Sequence, residues 1–268
     1  MLKETYTLRN GIKITYPALG TWQISDDTVE TCVLDAIEVG YRHIDSAAAY
    51  LNEDGVGRAL KKTKVDRGEI FITTKVPAEV KTYEGAKKSI ETSLKKLGTY
   101  IDLVLIHAPR PWSEMGPNPK YNYYKENIEV WKALIKAYND GLVKSIGVSN
   151  FSIEDIENIV KATNFVPHVN QIAIFIGCYP KDVIDYCQKN NILVEAYSPN
   201  ATGRLKNNEK VQEIAKKYNV SVPQLGIRFD YQLGTLPLPK TTHKEYMVEN
   251  ANIEFEISKE DMEYLKTL

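Results

Sequence analysis

The feature that most constrains this chain is a repeated alternation. Eight short apolar runs are separated by longer stretches with helical spacing. The runs are PALGTW from Pro17, YRHIDS from Tyr41, IFITTK from Ile70 and IDLVLIH from Ile101. They continue with VKSIGVSN from Val143, HVNQI from His168, ILVEAYSP from Ile192 and TLPLP from Thr235. Between them lie stretches such as DDTVETCVLDAIEVG, TYEGAKKSIETSLKKLG and SIEDIENIVKATN, whose apolar residues recur every three or four positions. Asp26, Thr82 and Ser152 are suitable N-caps for these helices, and the first two stretches run out at Gly40 and Gly98. Strands alternating with helices predict a parallel sheet. Eight such units in 268 residues predict a closed (β/α)8 TIM barrel, an α/β fold of roughly 250 residues. An open dinucleotide-binding sheet would carry G-x-G-x-x-G after its first strand. Here that position reads Leu19-Gly20-Thr21-Trp22. No low-complexity linker interrupts the chain, so residues 1–268 are expected to form a single barrel domain. Ahead of the barrel, TYTLRNGIKITY alternates around Asn10-Gly11. This predicts a short N-terminal β-hairpin with a type I′ turn.

Chemistry in such barrels sits at the C-terminal ends of the strands. The second run ends in Asp45, with Tyr50 just beyond, the third in Lys75 and the fourth in His107. The fifth ends in Ser149-Asn150, the sixth carries Asn170-Gln171, the seventh ends in Tyr197-Ser198, and Lys240-Thr241-Thr242 follows the eighth. Singly, each has a structural explanation: a packed tyrosine among 17, a rim salt bridge, a core histidine. Together they point to acid catalysis by a phenol. An ordinary tyrosine titrates near ~10, and a nearby ammonium lowers that value. Lys75 supplies the charge, Asp45 holds the lysine, and His107 orients a carbonyl whose oxygen gains negative charge. A long segment, Ala108 to Tyr124, follows the fourth run and carries four prolines, a tryptophan and three tyrosines. Loops of that length on this face commonly shape a pocket.

Composition excludes several other classes. Lys plus Arg is 34 against 35 for Asp plus Glu, so the basic excess of a nucleic-acid or membrane-surface binder is missing. Three cysteines, an odd number and with no Cys-x-x-Cys, argue against a disulfide framework and for a reducing, cytoplasmic setting. The N-terminus shows no apolar signal run, and no stretch approaches the ~20 apolar residues of a membrane span. No heptad or apolar surface stripe suggests association, so a monomer is expected.

The stretch YRHIDSAAAYLNEDGVGRAL, with LVLIHAP and GLVKSIGVSNF, resembles the motifs of the aldo-keto reductase family. The resemblance runs from the hairpin to about residue 266. It implies reduction of an aldehyde or ketone by NAD(P)H, with a catalytic tetrad of Asp45, Tyr50, Lys75 and His107 and Tyr50 as general acid. Ser149, Asn150 and Gln171 would hold the nicotinamide carboxamide, and Tyr197 would stack on its ring. Ser198, Pro199, Asn200 and the loop after them would follow the pyrophosphate. Gly20, Thr21 and Trp22 would stand beside the cofactor. Lys240, Thr241 and Thr242 would face the 2′-phosphate, and Glu249 and Asn250 the adenine. The small carbonyl substrate would meet Trp22, Tyr50, His107 and Trp112. Three departures stand out. Ala108 occupies a position the family often fills with tryptophan, which leaves Trp112 to supply an aromatic wall. Tyr246 aligns with an arginine of the usual phosphate clamp, and a phenol cannot pair with phosphate as a guanidinium does. NADPH is therefore expected through Lys240, with NADH as the alternative. The end at Leu268 predicts an open pocket without the covering C-terminal loop of longer relatives.

Two other readings compete. His43-x-Asp45 has the spacing of a metal-binding pair of a barrel hydrolase, but with four histidines in the chain no second ligand cluster is visible. A non-catalytic, cofactor-binding regulator on the same fold is the other, since fold does not dictate role.

Overall fold

The computed structural model describes residues 3–116 and 121–268. Two strands, β1 (Glu4–Thr7) and β2 (Lys13–Tyr16), form the antiparallel N-terminal hairpin. Eight parallel strands follow: β3 (Ala18–Gly20), β4 (His43–Asp45), β5 (Phe71–Val76), β6 (Leu103–Ile106), β7 (Ile146–Ser149), β8 (Val169–Ala173), β9 (Leu193–Tyr197) and β10 (Leu236–Leu238). Each pairs with its neighbour in chain order. The Gly20 N–H donates to Pro239 O at 2.9 Å, which draws β3 to β10 and closes the ring. All eight expected runs are strands. The flanking helices are α1 (Asp26–Val39), α2 (Glu53–Lys62), α3 (Tyr83–Leu97), α4 (Tyr124–Asn139), α5 (Ile153–Thr163), α6 (Lys181–Lys189), α7 (Glu209–Lys217), α8 (Val222–Gln232), α9 (Lys244–Ala251) and α10 (Lys259–Leu265).

Local chemistry explains the helix ends. Thr82 accepts from the Gly85 N–H, and Ser152 forms a capping box with Asp155. Gly40 and Gly98 take left-handed conformations at the C-termini of α1 and α3. The N-cap of α1 is Ser25 rather than the expected Asp26, which sits in the first turn, where a carboxylate favours the helix dipole.

Strand parity separates two apolar layers. Leu19, Ile44, Ile72, Val104, Ile106, Val148 and Val194 point outward into the main core beneath the helices. Each such fully buried aliphatic side chain contributes roughly 1.5–3 kcal/mol relative to exposure. The alternate positions point inward. From the N-terminal end upward these are Ala18, Phe71, Leu103, Leu105, Val169 and Leu236, which form a second cluster with Leu8 and Ile14 of the hairpin and with Leu238, whose upper side lines the cavity above. Gly147 is required here, because a Cβ would lie 2.5 Å from Val169 O and 2.8 Å from a Leu105 methyl.

The hairpin stoppers this lower end, with Asn10 Nδ2 donating to Lys144 O at 3.0 Å. Its turn differs from the expected type I′. Gly11 N–H donates to Leu8 O and Leu8 N–H to Ile12 O, and only Gly11 (φ 84°) has positive φ. That is a three-residue connection ending in a left-handed glycine, which meets the same strand twist with one extra residue. Of the segment from Ala108 to Tyr124, residues 117–120 lie outside the described residues; its first part forms a short turn of helix at Trp112–Glu114.

Candidate active site

The inward parity that carries aliphatic side chains below carries polar ones above. Asp45 on β4 and Lys75 on β5 are 4% and 1% exposed, and His107, directly after β6, is 6% exposed. Lys75 Nζ donates to Asp45 Oδ1 at 2.8 Å, Asp45 Oδ2 at 2.7 Å and Ser46 O at 2.8 Å. It also stands 3.4 Å from Tyr50 OH. Burial would strip this ammonium of its proton, but the Asp45 carboxylate, Tyr50 and Glu195 together outweigh burial and hold its pKa above the ordinary lysine value. The pair is thus ionic and anchored on three sides.

Tyr50 is placed by a short helical turn, Ala48–Tyr50, that ends at Leu51 in the left-handed region (φ 58°). Asn52, fully buried, pins this loop by donating to Thr21 O and Ile24 O and accepting from Ser46 Oγ. Glu53 fixes the start of α2 by accepting from Thr74 Oγ1 at 2.6 Å. From the sequence, Lys75 is expected to lower the Tyr50 pKa. The net direction is upward: burial of the phenol outweighs the attraction of Lys75, and Asp45 adds to it. Tyr50 therefore holds its proton firmly across neutral pH, and Lys75 restrains how far burial pushes it.

The His107 ring meets Tyr50 edge-on, with centroids 5.5 Å apart, and Trp112 at 5.1 Å. Trp112 lines the cavity beside His107, whereas Ala108 is fully buried. Burial first, and Lys75 second, push the His107 pKa down to about 3, so the imidazole is neutral. Its Nδ1 is buried and has no partner among the described residues.

Around this cluster opens a cavity of about 1200 Å³. Its wall includes Gly20, Trp22, Asp45, Tyr50, His107, Trp112, Ser149, Asn150, Gln171, Tyr197, Ser198, Pro199 and Asn200. Lys240, Thr241, Tyr246, Glu249 and Asn250 line it further along. A run of side-chain bonds stiffens its floor. Ser149 Oγ donates to Gln171 O at 2.8 Å, Asn150 Nδ2 to His107 O at 3.0 Å, and Tyr197 OH to Asn150 Oδ1 at 2.8 Å. Asn150 (φ 60°) and Ser198 (φ 57°) both leave their strands in the left-handed region, which turns the chain sharply at the cavity edge.

Two expected contacts are placed differently. Thr21 is fully buried behind the wall, its hydroxyl donating to Asp45 O at 3.0 Å. Thr242 is exposed and does not line the cavity. Lys75 lies beneath the wall rather than in it. Phe175, Arg204, Lys206, Gln212 and Glu195 were not singled out in the sequence. The first four line the cavity from segments beyond the strand ends, which strand-end logic does not reach. Glu195 was visible as the inward residue two positions before Tyr197 on β9. His43 is fully buried with Nε2 3.0 Å from Thr73 Oγ1, away from the cavity wall. Among the described residues, no group of three His, Cys, Asp or Glu side chains is placed to hold a metal ion.

Comparison with known proteins converges on one family. The chain is 40% identical over 270 residues to glyoxal reductase of Bacillus subtilis (strain 168), a match covering 100% of this chain and 93% of that protein. Methylglyoxal reductase DkgA of Escherichia coli (strain K12) is 35% identical over 259 residues, covering 95% of this chain and 90% of that protein. Among solved structures, an aldo/keto reductase from Brucella melitensis superimposes with a TM-score of 0.89 at 36% identity, covering 99% of both chains. A Bombyx mori aldo-keto reductase in complex with NADP gives 0.87 at 32% identity, covering 99% of this chain and 92% of that one. The model of the aldo/keto reductase family matches residues 16–268, and the chain belongs to that family.

Proposed function

We propose that this protein reduces a small aldehyde, ketone or dicarbonyl to an alcohol with NADPH, using Tyr50 as the proton donor. The observation that carries this reading is the buried Asp45–Lys75 ion pair set 3.4 Å beneath the Tyr50 hydroxyl at the floor of a large cavity. The site suits a dinucleotide. About 1200 Å³ exceeds the ~300–1,000 Å³ of ordinary ligand pockets, leaving room for cofactor and substrate together. Gln171 directs its amide nitrogen at the Asp45 and Glu195 carboxyls, which leaves its oxygen to accept from a carboxamide; Asn200 Oδ1 is buried on the same wall and has no partner among the described residues. Lys240, Arg204 and Lys206 offer cations for phosphate. Lys240 supports NADPH; NADH is the alternative where Tyr246, half exposed, stands in place of a cation.

NADPH, when bound, supplies the hydride. Tyr50 gives its proton to the carbonyl oxygen as charge develops there. The neutral His107 N–H donates to the same oxygen and orients it. Lys75 stabilises the phenolate left on Tyr50, which then recovers a proton from water. Trp22 and Trp112, both close to half exposed, frame an open mouth and exclude bulk water from a seated carbonyl. Among the described residues no helix is long and apolar enough to cross a membrane. Three free cysteines support a reducing cytoplasmic setting, and we take the protein as a monomer that sizing chromatography will test.

The test is consumption of NADPH with 4-nitrobenzaldehyde. Tyr50→Phe should lower kcat by roughly 10²–10⁴-fold, the usual worth of a general acid. Cofactor affinity, read by fluorescence, should stay within about twofold. Wild-type protein that binds NADPH and never turns over a reactive aldehyde would instead support a regulator.

A further inference from the structure

A second carboxyl lies under the site, outside the Asp45–Tyr50–Lys75–His107 group. Glu195 on β9 is fully buried inside the barrel. Its Cα partners in the sheet are Gln171 on β8 and Leu236 on β10. Gln171 Nε2 donates to Glu195 Oε2 at 2.8 Å and, with its other hydrogen, to Asp45 Oδ1 at 2.8 Å. Asp45, the anion of the Lys75 ion pair, only accepts, and Glu195 accepts through Oε2 whether or not its other oxygen carries a proton, so the orientation of the Gln171 carboxamide is set by chemistry. Its nitrogen must face the carboxyls, and its oxygen is left for the cavity that Gln171 lines. Glu195 Oε1 has no hydrogen-bond partner among the described residues, and His43 Nε2 lies 3.9 Å away.

We propose that Glu195 is a positioning residue for the reaction: joined to Asp45 through the two N–H groups of Gln171, it fixes the Gln171 carboxamide and couples its own proton to the charge beneath Tyr50. The inference rests on the reductase reading above. The groups facing Glu195 are His43 and Asp45 from β4, Lys75 from β5 with Tyr50 above it, Gln171 from β8 and Leu236 from β10. His43 is held neutral by burial, so Lys75 is the one cation among them. That cation is already matched by Asp45. Burial, with Asp45 next, pushes the Glu195 carboxyl up to about 8, against the pull of the Gln171 hydrogen bond and Lys75. At neutral pH Glu195 is thus a neutral acid, and the buried pair stays balanced. Ionisation places a second negative charge beneath the site. That charge holds the Tyr50 proton more tightly and opposes the phenolate that proton donation leaves.

The experiment is kcat/KM for carbonyl reduction and Kd for NADPH, each from pH 5.5 to 9.5, on wild type, Glu195→Gln and Glu195→Met. Wild type should lose activity through a limb near pH 8. Glu195→Gln keeps an acceptor for Gln171 but cannot ionise. It should retain neutral-pH kcat within about threefold and lose the limb. Glu195→Met removes the acceptor and leaves one Gln171 N–H buried and unpaired, a loss that corresponds to roughly a tenfold weaker NADPH Kd. Rescue of Kd by Gln but not Met separates positioning from simple packing. A limb near pH 8 that persists in Glu195→Gln overturns the proposal, as does an unchanged Kd in Glu195→Met. A wild type that reduces no carbonyl fails the reductase reading, while the Kd comparison still decides the role of Glu195.

Discussion

Lys75→Met should damage the fold as well as the chemistry, and the structure sets the size of that damage. The substitution removes an ammonium that makes two bonds to Asp45. Asp45, 4% exposed, is left with Gln171 Nε2 on Oδ1 and, among the described residues, with no side-chain donor on Oδ2. Breaking one side of a buried pair costs about 3–5 kcal/mol. Total stability for a domain is about 5–15 kcal/mol, so the loss is a large share of it. At roughly 2–4 °C per kcal/mol for a chain somewhat smaller than this one, Tm should fall by about 6–20 °C. The double variant Asp45→Asn/Lys75→Met removes both charges. It should recover about 2 kcal/mol or more, because an uncharged filling of the same space leaves no lone buried ion. Thermal and urea unfolding at pH 7, in the presence and absence of NADPH, measure each corner of the cycle. The single variant Asp45→Asn completes the cycle; all three variants should be nearly inactive, so stability and activity come apart in the double variant. A Tm for Lys75→Met within about 2 °C of wild type would mean that Asp45 is not left as a costly lone buried ion. So would a double variant no more stable than Lys75→Met, since then the pair would not be the source of the cost.

Two further outcomes follow from buried groups. His43, fully buried, has its pKa pushed down to about 3 by burial and then Lys75, against about 6.5 in an unfolded chain. Between those values the unfolded state binds the extra proton, so stability should fall as pH drops from about 6.5 toward 3; His107 adds the same sign. His43→Gln should flatten that slope in urea unfolding between pH 7 and 4.5, and an unchanged slope would mean the imidazole is not the proton-linked group. Gly147→Ala forces a Cβ to within 2.5 Å of Val169 O inside the barrel. It should cost about 1–3 kcal/mol or more by overpacking; a wild-type Tm would show that β7 and β8 can part without penalty.

The features legible in the residues alone are local and periodic. Alternation of apolar runs with helical stretches specified eight strands in order, because strand parity and helix spacing are written in neighbouring residues. Thr82, Ser152, Gly40 and Gly98 marked helix ends because capping acts within one turn. Strand ends also named Asp45, Lys75 and His107, since one rim collects every strand's last inward residue. Tertiary structure decided what each of these residues meets. Gln171 bonds Asp45 across 126 residues of chain, and only closure of the ring brings β4 and β8 within reach. Thr21, one position from two cavity-lining neighbours, is turned behind the wall to the Asp45 backbone. The direction of the Tyr50 pKa was likewise beyond the sequence. The pattern named the lysine that lowers it, but burial, which wins, depends on how loops and rings close over the hydroxyl. Glu195 illustrates both halves. Its parity was legible, but its role depends on sharing one glutamine amide with a carboxylate from the far side of the barrel.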